Sequence, residues 1–112
     1  MDVQSLAGAE PFTTKDGSTI RELHNTALQS LAEAALPAGG TTERHYHSQT
    51  EEIYFLLEGE GELEIDGERR HVVPGDAALI PAGAWHEITA TTGLRFLCCC
   101  APPYSHDDTY FA

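Results

Sequence analysis

Four side chains in this sequence have the types and spacing of a metal-binding set: His45, His47, Glu52 and His86. His45 and His47 stand two apart in a segment that favours strand, so both project from one face while Arg44 and Tyr46 point the other way. Glu52 opens the next strand and shares that face if the chain turns back through Ser48-Gln49-Thr50. His86 sits just after the turn Pro81-Ala82-Gly83. Three imidazoles and a carboxylate suit a first-row divalent metal. Iron, manganese, zinc, nickel, copper and cobalt all remain open, one ion per chain. On an octahedral ion, four protein ligands leave two positions for substrate or dioxygen. Glu51 competes with Glu52, and strand phase favours Glu52, because Glu52, Tyr54 and Leu56 then share a face.

The elements that must hold these groups are short strands. Thr19 to Asn25 is expected to be an edge strand. Leu28 to Leu36 has helix-favouring composition, but its short length between turns predicts a strand. Further strands are expected at Glu43–His47, Glu52–Leu57, Gly61–Ile65, Glu68–Val73, Ala77–Ile80, Trp85–Thr89 and Leu94–Ala101, with Pro102-Pro103 ending regular structure. Asp66-Gly67 is the strongest hairpin signal, a type I′ turn. Glu58, Glu60, Glu62 and Glu64 are expected on a solvated strand face, discouraging edge-to-edge association. Such spacing indicates a β-sandwich or barrel.

The two blocks of residues resemble the cupin signature. Gly39, His45, His47, Glu52 and Gly59 form the first block; Gly75, Pro81, Gly83 and His86 form the second, and fifteen residues separate Gly59 from Gly75. The resemblance runs from about Thr42 to Ile88. It implies an all-β, double-stranded β-helix or jelly-roll barrel of two packed antiparallel sheets, with the metal near one mouth. The whole of residues 1–112 then forms one domain: an N-terminal arm over 1–25, a metal-binding core over 39–90 and a tail over 102–112. Many cupins carry Asn four residues after the final histidine; Ala90 stands there, which leaves the ligand set intact. The resemblance also implies a homodimer, often with the N-terminal segment, here Met1 to Asn25, adding a strand to the partner's sheet.

Family resemblance specifies a site and leaves the reaction open. The leading expectation is a metalloenzyme acting on a small polar metabolite, as a dioxygenase, isomerase or lyase, or as a metal-binding biosynthetic cupin. The alternatives are a non-catalytic cupin whose metal is structural or serves ligand binding or sensing, and a metal-free barrel. Tyr54 either hydrogen-bonds a substrate or fills the barrel. His106, in Tyr104-Ser105-His106-Asp107-Asp108, follows the last expected strand and is a candidate acid/base group on a lid. His24 and His71 are expected at the surface, and Trp85 in packing.

Composition excludes several other classes. The chain has 112 residues, of which 6 are Lys or Arg and 18 Asp or Glu, a formal charge of −12. Nucleic acid and anionic membrane surfaces need basic side chains that are scarce here. No apolar run approaches the ~20 residues of a membrane-spanning helix. Met1-Asp2-Val3-Gln4 lacks a signal peptide's basic start, so the cytoplasm is the expected compartment. Cys98, Cys99 and Cys100 are consecutive, and neighbours on a strand face opposite ways, so they are expected as reduced, small apolar groups; alternatively Cys98 or Cys100 faces a pocket. No GxSxG, phosphate loop or GxGxxG opening a helix occurs.

Overall fold

The computed structural model describes residues 1–112. Eleven strands succeed one another: β1 (Phe12–Thr13), β2 (Thr19–Asn25), β3 (Ser30–Leu36), β4 (His45–His47), β5 (Glu51–Glu58), β6 (Gly61–Ile65), β7 (Glu68–Val72), β8 (Ala77–Ile80), β9 (His86–Ala90), β10 (Leu94–Ala101) and β11 (Thr109–Phe111). Only Leu6–Gly8 and His106–Asp108 form helix, each a single 3-10 turn. The strands pair antiparallel into two sheets, β1-β2-β3-β10-β5-β8 and β11-β4-β9-β6-β7. This is the expected all-β, jelly-roll barrel of two packed sheets.

Period-two patterning explains why the sheets face each other. On β5, Glu52, Tyr54 and Leu56 are buried while Glu51, Ile53 and Phe55 are exposed. Leu36, Leu56, Ile80 and Phe96 from the first sheet pack with Leu63, Val72 and Ile88 from the second. Asp66 and Gly67 have φ of 48° and 89°, the left-handed pair that a type I′ turn requires. Gly61 meets a different demand. A Cβ there would collide with the carbonyl oxygen of Thr89, so only glycine lets β6 lie against β9.

Three expectations are corrected. Thr19–Asn25 is not an edge strand: β2 pairs with β3 of its own chain, and the two-residue β1 lies outside it. Regular structure does not end at Pro102-Pro103, because β11 adds to β4 with Thr109 opposite His47 and Phe111 opposite His45. Three residues are too few to carry a periodicity, so nothing local announces that strand. Glu64 is not solvated. Its side chain is 8% exposed, lying beneath Arg44, whose Nε donates to Oε1 at 2.8 Å. Arg44 in turn sits over the Trp85 ring, 5.2 Å from its centroid, and Tyr46 packs edge-on against Trp85.

Candidate metal centre

β4 is only three residues long, yet it presents both of its histidines to the interior and Tyr46 to the outer face. β9 lies beside it with His86 directly opposite His45, their ring centroids 4.2 Å apart. Glu52 comes from the other sheet. Strand phase selects it over its neighbour: Glu52 is buried and Glu51 exposed. The ligand atoms offered by His45, His47 and His86 all lie within 4.8 Å of one another. Glu52 Oε1 is 3.5 Å from Nε2 of His47 and 3.5 Å from Nε2 of His86.

Each imidazole is oriented from behind. Nδ1 of His45 donates to the Glu43 carbonyl at 2.6 Å and Nδ1 of His86 to the Ala84 carbonyl at 3.0 Å. Nδ1 of His47 faces the Asp108 carbonyl and the Thr109 hydroxyl, both at 3.3 Å. With Nδ1 engaged, Nε2 is the free lone pair on every ring. His86 Nε2 and Glu52 Oε1 are buried and make no hydrogen bond. A buried carboxylate oxygen facing ring nitrogens is satisfied by a shared proton or by a cation bound between them. Two donor atoms about 2.1 Å from a common ion lie about 3–4 Å apart, the separation that Oε1 keeps from its two histidines. The donor set therefore fits a divalent transition metal.

Electrostatics follow from this packing. Burial opposes the charge on Glu52, but the imidazoles of His47 and His86 beside it prevail and hold its carboxyl at about 2. Burial likewise disfavours the charged form of His47, and Glu52 outweighs it, so that ring is shifted upward. His45 goes down, through burial first and then the neighbouring His86. Burial and the Glu52 charge push the Tyr54 hydroxyl well up.

A cavity of about 40 Å³ adjoins these groups and is bounded by His45, His47, Glu52 and Tyr54, with Cys98 and Cys100 on the β10 wall. Tyr54 packs against Phe96, with its centroid 4.7 Å away, and also lines the cavity. The Cys100 thiol lies 3.2 Å from Glu52 Oε2. All three cysteines are free, and of the two readings given above, Cys98 and Cys100 face the pocket while Cys99 does not. His106 is exposed and bounds no part of the cavity. Its Nδ1 lies 3.4 Å from the hydroxyl of Tyr104, which does line the wall. His24 is half-buried and His71 exposed.

Sequence reasoning missed Asp16 and Thr109, which border the cavity; Tyr104, expected only as part of the lid segment, borders it too. Asp16 Oδ2 is 3.8 Å from His45 Nε2. It lies in Lys15-Asp16-Gly17-Ser18, where composition signals only a turn, and outside both motif blocks. No local signal marks it.

The family model described as "Cupin domain" matches residues 32–100. An uncharacterized protein of Methanocaldococcus jannaschii is 46% identical over 107 residues, covering 89% of this chain and 86% of that one. The oxalate-binding protein of Thermotoga maritima is 35% identical over 77 residues, covering 67% of this chain and 63% of its own length. Among solved structures, KdgF from Halomonas sp. superposes with a TM-score of 0.86 at 19% identity, covering 94% of this chain and 96% of the other, which is a likeness of fold.

Proposed function

The chain belongs to the cupin family, and within it we propose a mononuclear metalloenzyme acting on a small polar metabolite. One observation carries this reading: Glu52 Oε1 and His86 Nε2 are buried without hydrogen-bond partners, and Glu52 lines a cavity together with His45 and His47. His45, His47, Glu52 and His86 would hold one divalent ion of iron, manganese, zinc, nickel, copper or cobalt. Such an ion polarises a substrate oxygen, or supports dioxygen chemistry if it is redox-active. The carbonyls behind His45 and His86 fix the tautomer and aim of those rings. Tyr54 would contribute a protonated hydroxyl on the same cavity wall, its high pKa keeping it a donor. Phe96, Ile20, Ala32 and Ala34 give the same cavity an apolar side. His106, exposed and reaching the wall only through Tyr104, is a weaker acid/base assignment.

A second reading is a non-catalytic cupin that binds a small ligand; a relative named as an oxalate-binding protein favours a binding role and leaves the ligand open. We also assign a homodimer formed through the outer face of the first sheet. Ile53, Phe55 and Leu79 are 40%, 38% and 55% exposed there, and Ile53 is in register with Leu79 across β5 and β8. Three free thiols suit a reducing compartment such as the cytoplasm.

The deciding experiment is elemental analysis of untagged protein purified without added metal or chelator, with His47→Ala as control. Near-stoichiometric metal that the control loses is the expected result; a folded, metal-free wild type overturns the reading. Water-proton relaxation of the manganese-loaded protein then separates an open site from a closed one. Exchangeable water on the ion supports catalysis, and an ion closed to water supports the structural alternative.

A further inference from the structure

The cavity has an unusual charge balance for a metal site, and the positions of the basic residues account for it. The chain has six Lys and Arg in total. Arg21 and Arg95 both approach Glu33, with Arg95 Nη2 2.6 Å from Oε2. Arg44 covers Glu64, and Arg69 pairs with Glu62 on the β6–β7 hairpin. Arg70 and Lys15 are exposed. None of the six lines the cavity, whereas Asp16, Glu22 and Glu52 do.

Asp16 is held rigidly. Its Oδ1 accepts from the Thr14 hydroxyl, from the Ser18 amide at 2.9 Å and from the Ser18 hydroxyl at 2.7 Å. Its backbone carbonyl accepts from the Glu43 amide at 2.8 Å, tying the turn to the chain two residues before His45. Oδ2 is left with no hydrogen bond, 3.8 Å from His45 Nε2. Glu52 thus serves the His47 and His86 side of the site, and Asp16 the His45 side. Two carboxylates offset the charge of a divalent ion, and Glu22 at the exposed rim makes the sum negative. An incoming anion finds no lysine or arginine to compensate it.

Resting on the metal-site reading above, we infer that Asp16 is a specificity-determining residue: it makes the cavity reject carboxylate and phosphate anions and accept a small neutral or cationic molecule bearing a hydroxyl or amine donor. The donor would be received at Asp16 Oδ2, beside the metal, where unscreened negative charge is worth most.

The test uses the full chain loaded with cobalt(II), titrated with azide as an anionic probe and imidazole as a neutral N–H donor, and read in the visible d–d bands. Asp16→Asn keeps an oxygen for Thr14 and Ser18 while removing the charge. It is expected to bind azide at least tenfold more tightly than the wild type, with no gain for imidazole. Glu22→Gln, at the rim, is expected to gain less, and Asp16→Ser repeats the comparison if asparagine disturbs the turn. Unchanged azide affinity overturns the inference, as does equal tightening of azide and imidazole, which would mean only a widened mouth. A different failure is visible separately. If cobalt gives no spectrum sensitive to His47→Ala, the metal reading itself falls and takes this inference with it.

Discussion

Cys100 and Glu52 face each other across β10 and β5, directly in register, with the thiol sulfur 3.2 Å from the Glu52 oxygen that is turned away from His47 and His86. Burial pushes the Cys100 thiol up, and the Glu52 charge pushes it further, so it stays a protonated donor. Oε2 is thereby occupied, leaving Oε1 free for the proposed ion. Cys100→Ser keeps a donor and is expected to hold metal within a few-fold of the wild type. Cys100→Ala should weaken metal binding by about tenfold, as loss of an outer partner typically does. Competition against a chromogenic chelator measures both. Equal affinities for the alanine and serine variants would show that the thiol only packs.

Arg44 and Glu64 make a second buried carboxylate pair, remote from the cavity. Removing Arg44 leaves Glu64 charged and enclosed, and also strips the guanidinium from the Trp85 face. Arg44→Ala is expected to destabilise the fold by about 2–3 kcal/mol, read from urea midpoints. Adding Glu64→Gln should recover part of that loss, because the stranded charge is gone. No recovery would indicate that the arginine's contribution is its packing on Trp85.

Asp108 links the tail to the end of the strand that carries His45 and His47. Its carboxylate accepts from the Ser48 amide at 3.1 Å, the Ser48 hydroxyl at 2.6 Å and the Gln49 amide at 3.0 Å. Partial burial opposes its charge, and these bonds prevail, holding it below the ordinary carboxylate range. With the folded value depressed, the unfolded chain binds more protons as the medium acidifies. The stabilisation is complete above about pH 4 and disappears as pH falls through the folded value. Asp108→Asn is therefore expected to be less stable than the wild type at neutral pH and to converge with it on acidification. Parallel urea midpoints across that range would contradict this.

The apolar row on the outer face of the first sheet offers a test of association. Phe55 is 38% exposed beside Ile53 and Leu79. Phe55→Glu, placed where the side chain already meets solvent in a monomer, should leave the fold intact and shift the sedimenting species from dimer to monomer. A wild type that sediments as a monomer would remove the proposed interface.

Local signals sufficed for much of this architecture. Alternation placed Tyr54 inward with Glu52 and separated Glu52 from Glu51, and Asp66-Gly67 adopts the turn its composition predicts. His45 and His47 share a face because a strand has a period of two, which is readable without knowing any neighbour. The helix-favouring residues of β3 became strand, since pairing with β2 and β10 on either side outweighs propensity. What local pattern could not supply was every contact made across the sheets. Asp16 reaches His45 because the N-terminal turn is tied to Glu43, and Cys100 reaches Glu52 because two strands nearly fifty residues apart pair in one register. β11 exists only as an addition to β4, and the Glu64 carboxylate has a charge partner only because Arg44 folds over it. Those outcomes depend on which strands become neighbours. That is settled by packing of the whole barrel, where a shift of one residue would exchange the interior and exterior faces.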